Sequence, residues 1–203
     1  MSFVYPKHFK TLGDVKPYQE TFTDYWDQII YQIPTPSGQR CAIEIGAECG
    51  GSAVYMLERF LTTKGDILHT MDIHLHPLFE SNVEPYKDKV IFYLDLSVNV
   101  LSHLWLTHRR PIADLIYVDG SHKTKDVIQD AVLSWNLLKL GGVMIFDDNG
   151  WGEEVYNMPS VAIEAFLQAY QTHYFLLGKG WQVYLQKTKE DTELISWERK
   201  IRE

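Results

Sequence analysis

Asp119 and the run Asp147-Asp148-Asn149 each close a short apolar stretch of the 203-residue chain. Apolar runs of that length read as buried strands, and an open α/β sheet binds its ligands at the carboxyl ends of such strands. These acids are therefore expected to converge on one pocket. Oxygen donors that leave room for waters and substrate oxygens suit Mg²⁺ or a similar hard divalent cation, whereas a soft metal prefers nitrogen or sulfur. The same acids could instead serve only a cofactor and the caps of the helices that follow. His122, three residues after Asp119, adds a side chain that titrates near neutrality.

A second constellation spans Ala42 to Ser52, A-I-E-I-G-A-E-C-G-G-S. It reads as a buried strand, a glycine turn and the start of a helix, whose free amides favour a negatively charged group. Glycines there let a ligand approach the backbone, and Glu44 before them suits a ligand bearing an ammonium or sulfonium. The spacing is not G-x-G-x-x-G, which disfavours a nicotinamide dehydrogenase. Asp72 ends the next apolar run, Ile67 to Met71, about 20 residues beyond the loop, where a carboxylate can accept both ribose hydroxyls. His74 and His76 could face one side of an extended segment as metal ligands, but no third ligand lies nearby, and they are read as loop residues. Cys41 and Cys49 are too few for a cysteine metal cluster and read as buried free thiols.

The run E-x-G-x-x-x-G-x-S from Glu44 to Ser52 resembles motif I of class I S-adenosylmethionine-dependent methyltransferases, most like the catechol O-methyltransferase type. The pattern D-G-S-H at Asp119 to His122, then Ser134-Trp135, then L-x-x-L-G-G-x-x-x-F-D-D from Leu137 to Asp148, is similar to a group of small metal-dependent members. In the same order, the resemblance covers Arg40 to Gln186. It implies a Rossmann-like α/β fold: a mostly parallel seven-stranded sheet with helices on both faces and a C-terminal antiparallel hairpin. It also implies S-adenosylmethionine held by Glu44, Gly46, Gly50, Ser52, Asp72 and Asp119, with Asp95 or Ser97 beside the adenine ring. For the metal it offers two ligand sets, Asp119 with Asp148 and Asn149, or Asp119 with Asp147 and Asp148. His122 falls where catechol-type enzymes carry a lysine that takes the acceptor's proton. Its expected role is a general base, or else the orientation of a metal-binding carboxylate. The implied reaction is methyl transfer to a small-molecule hydroxyl with metal assistance. The rivals are a metal-independent N- or O-methyltransferase and a non-catalytic cofactor-binding module.

Helical spacing over Thr21 to Ile33 predicts a cap helix, followed by the loop Pro34 to Gly38. The organising strand leads into a helix over Ala53 to Leu61, and a third strand over Lys89 to Leu94 into a helix from Val98 to His108. Ala113 to Val118 is the fourth strand, and the helix Lys125 to Leu138 ends at Leu140-Gly141-Gly142, before a strand over Val143 to Phe146. Ser160 to Tyr170 reads as helix, and His173–Leu177 and Trp181–Gln186 as strands around Gly178-Lys179-Gly180. The reading is one methyltransferase domain over 1–203, with a helical cap over 1–38, a core over 39–187 and a weakly packed tail over 188–203. A formal charge of −8 without a Lys/Arg cluster argues against a nucleic-acid partner. Neither a membrane-spanning run nor an apolar leader is present in the sequence, so a cytoplasmic location is expected.

Overall fold

The computed structural model describes residues 3–11, 20–34, 38–152 and 156–190. Seven strands form one sheet in the order β3-β2-β1-β4-β5-β7-β6. They are β1 (Cys41–Ile45), β2 (Ile67–Asp72), β3 (Val90–Leu94), β4 (Ala113–Val118), β5 (Leu138–Phe146), β6 (Tyr174–Lys179) and β7 (Val183–Lys187). The first five run parallel, and β7 pairs antiparallel with both β5 and β6. The expected mostly parallel sheet with a C-terminal hairpin is therefore present.

Strand alternation sorts the core into two layers. Leu115 and Tyr117 of β4, with Ala42 and Ile145, face α1 (Glu20–Ile30), α2 (Gly51–Arg59) and the short α3 (Phe79–Val83). Ile116 and Val118, with Ile43, Met144 and Phe146, face α4 (Ser97–His108), α5 (Thr124–Leu137) and α6 (Pro159–Ala169). Both layers are apolar because parallel strands are covered on both sides. No helix among the described residues is long and apolar enough to cross a membrane.

Local details refine the expected elements. Gly141 and Gly142 do not stop α5. That helix ends at Leu137 and β5 begins at once, with both glycines inside it. Gly141 has φ +79°, and a Cβ on Gly142 would lie 2.9 Å from the Lys139 carbonyl oxygen, so the pair permits an irregular stretch in the strand. His74 and His76 lie in irregular chain after β2, as expected, ahead of α3 and a 3₁₀ turn, Glu84–Lys89. Lys187 ends β7 as a buried cation, its Nζ donating to the carbonyls of Trp135 at 3.0 Å and Leu138 at 2.9 Å where α5 finishes. Of the expected tail, 191–203 lies outside the described residues, as do 12–19 and 35–37 of the expected cap.

Candidate active site

After β3 the chain returns across the sheet to place β4 beside β1, and this reversal leaves a crevice at the strands' carboxyl ends. A groove of about 840 Å³ lies there, lined by Gly46, Asp72, Asp95, Ser97 and Asp119 and bounded by the inner face of α5. A second cavity of about 70 Å³ shares Gly46, Glu48 and Asp119 with it and continues past Ser52 to Tyr5, Trp26 and Tyr117.

The glycine loop is held from below by Asp72. Its Oδ2 accepts the amides of Ala47 at 2.9 Å and Glu48 at 3.2 Å, while Oδ1 accepts that of His74 at 3.0 Å. Glu48 has φ +40°, a costly conformation for a side-chain-bearing residue that these bonds help to fix. Gly46, at φ +89°, packs against β4 so closely that a Cβ would sit 1.9 Å from the Asp119 carbonyl oxygen. Gly50, at φ +88°, lines neither cavity, and a Cβ there would meet Phe79 of α3. Glu44 also lies behind the loop. Fully buried, it accepts the Ser52 hydroxyl at 2.5 Å and the Thr70 hydroxyl at 2.6 Å. Burial pushes its carboxyl up to about 7.

At the end of β3, Asp95 is exposed, and its Oδ1 accepts the Leu96 amide and the Asn99 side chain. The Asn99 bond, followed by the Leu96 amide, holds its carboxyl below the usual carboxylate range.

Asp119, His122 and Asp148 come together, with one ligand atom from each lying within 4.8 Å of the others. His122 Nε2 stands 2.8 Å from Asp148 Oδ2, and its ring lies 4.9 Å from that of Trp151. Asp148 occupies left-handed backbone at φ +56°. Burial, then the charges of Asp147 and Asp148, push the Asp119 carboxyl well above the carboxylate range. Burial and Asp147 also raise Asp148, against the opposing effect of His122 and a hydrogen bond from Trp181. Asp147 turns inward, accepting Tyr117 Oη and, at 2.7 Å, Gln182 Nε2 on Oδ2, and the Asp148 amide on Oδ1. Asn149 donates to the Gly180 carbonyl at 2.9 Å, and its buried Oδ1 has no partner. His74 and His76 join no such cluster among the described residues.

Sequence reasoning missed the support behind the acids. Gln182, 2% exposed, bonds Asp147 on one side and accepts Trp26 Nε1 and Tyr184 Oη, at 2.7 and 2.6 Å, on the other. Three of the partners, Trp26, Tyr117 and Tyr184, are aromatics that read as ordinary core. The only signal was a glutamine, Gln182, near the start of the strand run Trp181–Gln186.

An open, mostly parallel sheet with a closing antiparallel hairpin and a glycine-loop groove at its switch point is the class I methyltransferase architecture. Residues 43–149, more than half of the chain, match the family described as a methyltransferase domain, and the chain belongs to that family. Among curated protein sequences nothing matches. Solved structures share the fold at low identity. MycE, a methyltransferase from the mycinamycin biosynthetic pathway solved with Mg, SAH and mycinamycin VI, is 16% identical with a TM-score of 0.65, over 87% of this chain and 52% of its own. The present chain thus spans about half the length of MycE. An O-methyltransferase from Bacillus cereus in complex with SAH is 21% identical at TM-score 0.61, covering 90% and 84%. A putative rRNA-methylase from Clostridium thermocellum is 13% identical at 0.65, covering 83% and 96%.

Proposed function

We propose that this S-adenosylmethionine-dependent methyltransferase acts on a hydroxyl of a small-molecule acceptor with the help of a divalent cation, in the manner of the catechol-type enzymes. The observation that carries this reading is the cluster of Asp119, His122 and Asp148 at the mouth of the cofactor groove. Burial, and after it the repulsion between these carboxylates, raises two of them, and a cation among them would relieve that cost. The orphaned Oδ1 of Asn149 fits a further oxygen ligand, whereas Asp147 is already engaged by three protein donors. Asp119, Asp148 and Asn149 would thus hold the ion, with Asp147 as support. MycE, solved with Mg and mycinamycin VI, and the Bacillus O-methyltransferase are compatible with this chemistry.

S-adenosylmethionine supplies an electrophilic methyl on a sulfonium, and a divalent ion makes an acceptor hydroxyl easier to ionise. The chain's own residues do the positioning. Asp72, held against the loop amides, faces the groove where ribose hydroxyls would lie, and Ser97 and Asp95 line its far end. Glu44 acts at one remove, through Ser52 and the loop. His122, with Nε2 already on Asp148, orients that carboxylate, so of its two expected roles this one has the geometric support. Trp151 and Trp181, each about half exposed, flank the acids as walls for an apolar acceptor.

Thermal melting with S-adenosylhomocysteine, with and without Mg²⁺, tests both parts, since a ligand bound only by the native state raises its melting temperature. The reading expects a shift with the cofactor product and a further one with Mg²⁺ that Asp119→Ala and Asp148→Ala remove. A shift with the product alone, and transfer that survives EDTA, would leave a metal-independent transferase. Asn149→Ala and Asp147→Ala then separate the two ligand sets.

A further inference from the structure

The acids after β5 are fastened to the chain on both sides of Asp148. Asn149 is tied by its amide to the Trp181 carbonyl at 2.8 Å and by its side chain to that of Gly180 at 2.9 Å, and Asp147 by Oδ2 to Gln182 Nε2 at 2.7 Å. Gln182 is buried, and its orientation is not free. An indole N–H can only donate, so the Gln182 atom 2.7 Å from Trp26 Nε1 must be the amide oxygen. The Tyr184 hydroxyl donates to the same oxygen at 2.6 Å. The amide nitrogen is left facing Asp147, with Tyr117 Oη 3.4 Å away. Held there, Asp147 accepts the Asp148 amide on its other oxygen at 2.6 Å. Asp148 then takes left-handed backbone at φ +56°, with its carboxylate 2.8 Å from His122 Nε2. That conformation costs free energy that the surrounding contacts must offset.

We infer that Gln182 is a positioning residue for the metal-binding carboxylate of Asp148, acting through Asp147, and that Trp26 ties this arrangement to the cap helix α1. This rests on the reading above in which Asp148 is a ligand of the ion and Asp147 is not. The amide offers an acceptor to the donors of α1 and β7 on one side and a donor to a carboxylate on the other. A glutamate would present oxygen to both. An apolar residue would leave Asp147 Oδ2 with Tyr117 alone and the buried Trp26 N–H without its acceptor. Partners that orient a ligating carboxylate are worth about ten- to a hundredfold in metal affinity.

Calorimetric titration of Mg²⁺ into the protein saturated with S-adenosylhomocysteine, with S-adenosylhomocysteine titrated separately, tests the assignment. Gln182→Met, similar in length and volume, should weaken Mg²⁺ binding about tenfold and S-adenosylhomocysteine binding no more than about twofold. Asp147→Asn should also weaken Mg²⁺, because only one of its two side-chain atoms still accepts, which leaves a donor against either Gln182 or the Asp148 amide. Combining Asp147→Asn with Gln182→Glu remakes the bond with donor and acceptor exchanged and the net charge unchanged. This pair should bring Mg²⁺ affinity back to within about threefold of the unsubstituted protein, a rescue open neither to a merely structural glutamine nor to Asp147 acting as a ligand. A double variant as weak as Asp147→Asn alone overturns the inference. So does Mg²⁺ affinity that is undiminished in Gln182→Met, or that falls there in step with the affinity for S-adenosylhomocysteine. If the unsubstituted protein binds S-adenosylhomocysteine but not Mg²⁺, the metal reading itself fails and this assignment with it.

Discussion

Glu44 is fully buried, and its carboxyl is met by the hydroxyls of Ser52 and Thr70. Because burial lifts its carboxyl from the ordinary value of 4.5 to about 7, the folded chain holds the proton that the unfolded chain has released. Its contribution to stability is fully present below about 4.5 and is lost as pH rises through about 7, on the order of 3 kcal/mol in all. Glu44→Gln should therefore flatten the dependence of denaturant midpoint on pH between those limits and stabilise the protein above neutrality. An unchanged profile would show that Glu44 is ionised when folded. For His122, the bond to Asp148 predicts that His122→Gln weakens Mg²⁺ binding about tenfold, read from melting temperature against Mg²⁺ concentration, while S-adenosylhomocysteine affinity holds. Intact metal affinity together with lost turnover would restore the role of base. At this scale the sequence was a good guide to which residues gather and a poor one to what each touches. The strand-end positions of Asp119 and Asp148 follow from periodicity. That Glu44 faces Ser52 rather than a ligand depends on which side of β1 packs against α2, and no spacing encodes that.

At the level of elements, the glycines of the loop are fixed by packing and backbone sign. Gly46→Ala would force its Cβ against the Asp119 carbonyl at a position with φ +89°, so it should lower the melting temperature and separate β1 from β4 as well as weakening cofactor binding. Gly50→Ala has softer neighbours, the Phe79 ring and Val83, and should cost about 1 kcal/mol from its positive φ with cofactor affinity largely kept. Equal loss of affinity in both variants would contradict this division. The strand-loop-helix units were legible because parallel strands buried on both faces leave continuous apolar runs. The start of β5 was not, since Gly141-Gly142 carries the ordinary signature of a helix stop, whereas here it lies in the irregular stretch between the residues Leu138 and Val143 that pair with β4.

For the molecule as a whole, the segment 3–11 is tied across the loop by side chains far away in sequence. Asn82 exchanges hydrogen bonds with the backbone of Lys10 at 2.8 and 2.9 Å and donates to the Cys49 carbonyl at 2.8 Å, while Tyr5 Oη donates to the Gly51 carbonyl at 3.3 Å. Because Tyr5 lines the smaller cavity, S-adenosylhomocysteine should slow proteolysis within this arm, and Asn82→Ala should speed it in the free protein. Cleavage rates indifferent to the ligand would place the arm outside the site.

The closing hairpin has a consequence for how the protein comes off the ribosome. β7 lies inside the sheet, between β5 and β6, yet it follows both of them in the chain. The Asn149 amide is bonded to the Trp181 carbonyl, the Asn149 side chain to Gly180, and Asp147 to Gln182, all residues translated some thirty positions later. A growing chain can therefore assemble the part of its pocket built on β1, β2 and β4 while the acids after β5 are still without their scaffold. Stalled chains of increasing length should gain protease protection around residues 41–72 first, and around 147–149 only once residues 180–187 have emerged. Simultaneous protection of the two regions would mean that the sheet forms in a single event.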